Sequence, residues 1–216
     1  ARFAGGHSFG GVLTSLILAR HPELFRRAVL LDPVLFSPAM IGVMALSDVV
    51  GLAQRTGMAK RAQKRRRQWP DRASAHAALH GRGMFKGWDE TAFEAHIAHA
   101  LRDRETGGVE LCCKPEREAE VFRSMPSALW SSLRRLTTPT EIIYGDRTYP
   151  FVIRSARRLA ASNRHVRAHQ TAGGHCFMLE HPAAAAAGLT GSNWNCNTAK
   201  SPSRYPSTGQ PFSDYN

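Results

Sequence analysis

The pentapeptide Gly6-His7-Ser8-Phe9-Gly10 constrains the fold more than any other stretch of this chain. A G-x-S-x-G turn carries its serine at the apex of a sharp strand-to-helix reversal, with the hydroxyl exposed and the backbone strained. Gly6 and Gly10 are expected to be glycine because side chains there would collide across the turn. The pattern also arises by chance in glycine-rich chains, so the flanking segments decide. Upstream, Arg2–Gly5 supply a strand leading into the turn. Downstream, Val12, Leu13, Leu16, Ile17 and Leu18 are expected on one side of a helix. That helix closes at His21-Pro22, because the residue before a proline avoids the helical region. Arg27–Leu31 then reads as a short buried strand stopped at Asp32-Pro33. Turn, helix and strand in that order make one step of an α/β fold.

Residues 34–136 lose this rhythm. Helices are predicted over 38–52, 56–68, 72–80 and 89–101, with Asp89 as the N-cap of the last. A turn at Gly107-Gly108 and a short helix over 115–123 complete a mostly helical insertion. The alternation returns with a strand at Glu141–Tyr144, a helix over 152–161 and a third short strand over 165–169. The loop Gly173-Gly174-His175 follows, and then a closing helix. Over 189–216 Asn, Ser, Thr, Pro and Gly dominate and periodicity vanishes, so a disordered tail is expected after a domain spanning 1–188.

Composition narrows the class. The chain has 216 residues, 43% hydrophobic and 21% charged, which suits one globular domain and excludes a wholly disordered one. No apolar run approaches the ~18 residues of a membrane helix, and no secretory apolar region follows a basic start. The four cysteines include the adjacent Cys112 and Cys113 and no CxxC pair, so a reduced, cytoplasmic setting is expected. A net charge of +12 would attract nucleic acid or anionic lipid without specificity. The basic cluster Arg55, Lys60, Arg61, Lys64, Arg65, Arg66 and Arg67 has only Trp69 as a stacking aromatic. It reads as a solvated outer face of the insertion, and no specific nucleic-acid partner is expected.

A serine hydroxyl is a poor nucleophile until a base takes its proton. His175, late in the chain and in a glycine-rich loop, is the expected base. His165, His169 and His181 read as solvated surface, and His7 as a support for the turn. The backbone N–H of Phe9, opening the helix, is expected to face a developing oxyanion.

Through Gly6–Gly11, Leu31-Asp32-Pro33-Val34, Ile142–Asp146 and Gly173–Pro182, the sequence resembles the α/β-hydrolase superfamily over residues 3–187. It looks like the small esterase-like branch with a helical cap. The resemblance implies a mostly parallel sheet and a serine hydrolase working through an acyl-enzyme on Ser8. It also implies a small-molecule substrate, an apolar ester first of all, with no cofactor and no metal. Ser8 at the turn argues against the dehalogenases and epoxide hydrolases of this fold, which use aspartate there. Many members carry the triad acid three residues after the glycine ending the penultimate strand; here that position is Thr148, which cannot serve. Two candidates remain. Asp146 follows Gly145 directly, and Asp32 stands after the strand that follows the elbow helix, where haloalkane dehalogenases and some lipases place their acid. Asp32 is preferred, although it could also cap the segment after Pro33. Its task would be to fix the tautomer of His175 and stabilise its imidazolium.

Complete members have about four strands before the elbow, including the loop that supplies the second oxyanion-hole N–H. The chain is therefore expected to form a partial fold with an exposed sheet edge and weak or absent turnover. The alternatives are a catalytically silent hydrolase-like fragment and a basic-surface binding protein. In the cap, Met40, Met44, Met84, Phe85, Trp88 and Phe93 could line a pocket but are expected mainly to pack. Cys176 reads as a small core residue.

Overall fold

The computed structural model describes residues 2–49, 65–123, 126 and 128–190. Strand β1 (Phe3–His7) enters the elbow and helix α1 (Phe9–Arg20) leaves it. After a 3-10 turn at Pro22–Leu24 come β2 (Arg27–Leu31) and α2 (Pro38–Val49). Next follow β3 (Gln68–Trp69), α3 (Arg72–Leu79), α4 (Glu90–His99), β4 (Leu101–Asp103), β5 (Val109–Leu111) and α5 (Pro115–Arg123). Helix α6 (Leu129–Arg134) leads back to β6 (Thr140–Gly145), α7 (Pro150–Ser162) and β7 (Val166–Thr171). Helices α8 (Phe177–Glu180) and α9 (Pro182–Thr190) follow.

The main sheet has the order β1-β2-β6-β7, and every pairing is parallel. Gly5 lies opposite Val29, and Leu30 opposite Ile142. Parallel strands are covered on both faces, which is why β2 and β6 read as nearly unbroken apolar runs. Leu30 and Ile142 are fully buried, in one core with Val12, Leu18, Leu35, Val152 and Leu159. Each such side chain contributes roughly 1.5–3 kcal/mol on leaving water. The parallel arrangement brings the C-terminal ends of all four strands to one edge. Ser8, Asp32, Asp146 and the loop carrying His175 all follow those ends, where sites form on such sheets.

Among the described residues β1 has one partner strand. Beside it Phe3 is 69% exposed, Leu13 47% and Ile17 45%. The expected one-sided apolar face of α1 is therefore not found. Val12 and Leu18 point into the core while Leu13 and Ile17 point out, so this helix is apolar on both sides.

The insertion is not as helical as its sequence suggests. It holds a three-stranded antiparallel sheet, order β3-β5-β4, with Trp69 opposite Val109 and Leu101 opposite Leu111. Strands of two or three residues are too short to display a period of two, and Gln68 of β3 is the last residue of the helix predicted over 56–68. Residues 65–67 of that segment are not helical, and its residues 56–64 lie outside the described residues, as does Arg55. The described basic residues are engaged within the insertion. Arg65 meets Glu118 at 3.2 Å, Arg67 meets Glu116 at 3.5 Å, and the Arg66 guanidinium sits 5.6 Å from the Trp69 ring. Phe85 and Phe93 are buried with Trp69, Ile97 and Val109 in the insertion's own core, and Trp88 packs against it. These aromatics pack rather than line a pocket; Met84 is exposed.

Helix α6, within the residues read as the insertion, packs Leu129 and Leu133 into the main core. Helix α9 continues to Thr190, past the expected start of the tail, and residues 191–216 lie outside those described. Asp89 caps α4 as predicted, its carboxylate accepting from the Ala92 N–H at 3.2 Å.

Candidate active site

Ser8 has φ 54° and ψ −121°, a region that costs an L-residue about 1–3 kcal/mol and persists only where the surroundings impose it. Here they do. The Ser8 N–H donates to Leu31 O at 3.0 Å, and the Ser8 carbonyl accepts from Gly11 N–H at 3.1 Å and Val34 N–H at 3.3 Å. A Cβ on Gly6 would stand 2.4 Å from the Gly10 carbonyl oxygen, and one on Gly11 would stand 2.8 Å from Pro33 Cβ. A Cβ on Gly10 would meet nothing within 4 Å. The crowding therefore falls at Gly6 and Gly11, not at Gly10 as the turn pattern suggested.

Ser8 occupies the N-cap of α1, yet its hydroxyl makes no capping bond. A serine there usually bonds the second or third helical N–H. Instead its Oγ lies 3.0 Å from His175 Nε2. Phe9 opens the helix, and an N–H in that first position has no intrahelical acceptor.

His175 is delivered by a loop clamped at several points. A Cβ on Gly145 would lie 2.3 Å from the Gly173 carbonyl oxygen, so only glycine lets the two backbones approach this closely. The Gly173 carbonyl accepts from Arg147 N–H at 3.0 Å, and the Gly174 N–H donates to Glu180 at 2.9 Å. Within that frame His175 Nδ1 is 2.6 Å from Asp32 Oδ2. Asp32, at φ 44°, is fully buried. Its Oδ1 accepts from the Gly145 N–H at 3.0 Å, and its Oδ2 also accepts from the Thr148 hydroxyl. A buried carboxylate is tolerated only with such a set of donors. With Asp32 accepting from Nδ1–H, the His175 Nε2 carries the lone pair that faces Ser8.

Asp146 is placed elsewhere. Its carboxylate accepts from the Gly173 N–H at 2.9 Å and sits 3.7 Å from Arg147, so it belongs to the loop clamp and is not brought to His175. Thr148, three residues after Gly145, donates its hydroxyl to the Asp32 carboxylate. A threonine three residues after Gly145 was the available signal for this contact.

His7 supports more than the elbow. Its Nε2 lies 2.9 Å from the His175 carbonyl oxygen, and the two rings are 4.8 Å apart. Burial pushes the His7 pKa below the ordinary histidine value, which favours a neutral ring whose Nε2–H donates to that carbonyl. Of the three histidines expected at the surface, only His181 is exposed. His169 is half-buried and meets Glu141 at 2.5 Å across β7 and β6. His165 is also half-buried. Burial, with smaller contributions from Glu180 and Asp32, pushes the Cys176 thiol up to about 11. No group of three metal-ligating side chains occurs among the described residues, and none of their helices is long and apolar enough to cross a membrane.

A parallel sheet with an aspartate, a histidine and an elbow serine hydrogen-bonded along its C-terminal edge defines a protein of the α/β-hydrolase class. The chain belongs to the alpha/beta hydrolase family, whose pattern it matches over residues 1–188. An abhydrolase domain-containing protein of Alternaria alternata is 33% identical over 96 residues, 44% of this chain and 32% of that protein. Among solved structures, the thioesterase domain of the curacin biosynthetic pathway superposes with a TM-score of 0.60 at 19% identity, covering 86% of this chain and 64% of that one. An esterase from Mycobacterium tuberculosis gives 0.58 at 20%, covering 88% and 62%. E-2-(acetamidomethylene)succinate hydrolase gives 0.61 at 18%, covering 87% and 65%. The chain thus spans about a third of the curated relative and under two thirds of these solved relatives.

Proposed function

We propose that the chain carries the catalytic machinery of a serine hydrolase acting on carboxylic esters, with Ser8 as nucleophile, His175 as base and Asp32 as the acid. The single observation that carries this reading is the continuous bond path from Asp32 Oδ2 through the His175 ring to Ser8 Oγ, at 2.6 and 3.0 Å. That the solved relatives include an esterase and a thioesterase agrees with it.

In this mechanism Ser8 Oγ attacks the ester carbonyl carbon while its proton passes to His175 Nε2. Asp32 holds the ring by Nδ1–H and stabilises the imidazolium. The Phe9 N–H faces the oxyanion as it forms. Collapse of the tetrahedral intermediate expels the alcohol, which takes the proton from His175, and leaves an acyl group on Ser8. Water then attacks the acyl carbon, giving its proton to His175, and a second collapse frees the acid and restores Ser8.

The test is stopped-flow release of p-nitrophenolate from a p-nitrophenyl ester. A burst approaching one equivalent per chain, absent in Ser8→Ala, is expected even if deacylation is slow. A rate that Ser8→Ala leaves unchanged contradicts the reading.

A further inference from the structure

Three half-buried aromatic rings are linked in series to His175. The Tyr149 ring lies 5.3 Å from the His175 imidazole, Phe151 stacks 5.7 Å from Tyr149, and Phe36 lies 4.8 Å from Phe151. Tyr149 and Phe151 come from the start of α7, and Phe36 from the segment after Asp32. All three lean on the main core yet keep accessible surface. The mounting is stiff. The Trp130 indole N–H donates to the Phe36 carbonyl at 2.7 Å, and the Arg158 guanidinium covers Trp130 at 4.9 Å. The Phe36 N–H donates to Val34 O, and the Val34 N–H in turn donates to Ser8 O, so the far ring is tied to the elbow by two backbone bonds. Phe85 and Phe93, by contrast, are buried in the insertion's own core.

We infer that Phe36, Tyr149 and Phe151 form the subsite for the apolar part of the substrate, so the site favours esters bearing an aryl group or an alkyl chain several carbons long over short ones. The inference rests on Ser8 being the nucleophile. A row of rigid rings beginning at the base has two consequences. It removes apolar substrate surface from water, and it does so in register with the reacting carbonyl. Fixed aromatic surfaces accept either an aryl ring, edge or offset face on, or an extended alkyl chain.

The test is a competition in one tube. Two fluorophosphonates differing only in an ethyl or an octyl group are mixed at equal concentration with the chain. Adducts on the Ser8 peptide are then counted by mass spectrometry and corrected for each probe's hydrolysis in buffer. The octyl adduct is expected in at least about tenfold excess, a modest return for six added methylenes. Phe36→Ala and Phe151→Ala should each lower that ratio about threefold or more. Because the ratio is internal to one sample, a variant that folds less well still reports it. A wild-type ratio near one, or a ratio that neither variant lowers, overturns the subsite. No adduct with either probe overturns instead the assignment of Ser8, and the subsite with it.

Discussion

Replacing Asp32 by asparagine separates the two carboxylates that the sequence offered. The Asp32 carboxylate accepts from three donors: the Gly145 N–H, the Thr148 hydroxyl and His175 Nδ1–H. An amide of the same shape has one oxygen. If the NH₂ faces His175, the ring must turn to the tautomer with its proton on Nε2, and Ser8 loses its acceptor. If it faces the Gly145 N–H, two donors are left opposed in a buried site. The first arrangement removes the base and is expected to slow acylation by about 10⁴, or ~5.5 kcal/mol on the barrier. The second costs about 1–3 kcal/mol of stability for the unsatisfied donor. Asp146→Asn keeps an oxygen for the Gly173 N–H and touches no part of the path, so its rate should stay within about threefold of wild type. The assay is the second-order rate of fluorophosphonate labelling, with urea midpoints run alongside. Refutation would be a labelling rate for Asp32→Asn within tenfold of wild type together with an unchanged urea midpoint, or a loss at Asp146→Asn as large as that at Asp32→Asn.

Other consequences follow from the same contacts. Thr148→Val removes one donor from Asp32 Oδ2 and should slow labelling about tenfold, whereas Thr148→Ser should restore most of it. The lowered His7 pKa has a definite sign. Stability is full above the free-histidine value of 6.5 and declines as pH falls toward the lower folded value, because the unfolded chain takes up a proton that the folded one resists. His7→Gln, which can still donate to the His175 carbonyl, should therefore flatten the fall in urea midpoint below pH 6.5. His96, whose pKa is lowered mainly by burial, adds a residual slope of the same sign. With Cys176 at about 11, iodoacetamide at pH 8 should modify the exposed Cys112 and Cys113 well before Cys176. Peptide mapping at short times would show the order.

What the sequence disclosed tracks how local each constraint is. The elbow, the strand at Arg27–Leu31 and the apolar run at Ile142–Tyr144 announce themselves within a few residues, since steric demand and burial act there directly. The open choice between Asp32 and Asp146 was not local. Both follow strand ends on the same edge, and only the folded chain, with Asp32 buried at φ 44° against His175 and Asp146 bonded to the Gly173 N–H, decides which carboxylate meets the histidine. Thr148 was legible as a departure from the family pattern but not as a donor to Asp32, a contact made across 116 residues. The cap's small sheet escaped because strands of two or three residues are too short to display an alternation of period two. The outward side of α1 escaped for the opposite reason. Leu13 and Ile17 look like core residues in a periodic pattern, yet both are exposed, and among the described residues β1 has a single partner strand.

The most direct test of the account is the site of covalent modification by a fluorophosphonate. The folded chain is digested after brief exposure, and the modified residue is read from the peptide masses. The account predicts a single adduct on Ser8, lost in Ser8→Ala and strongly slowed in His175→Ala. A folded chain that takes up no probe, or takes it up at another serine, would contradict it.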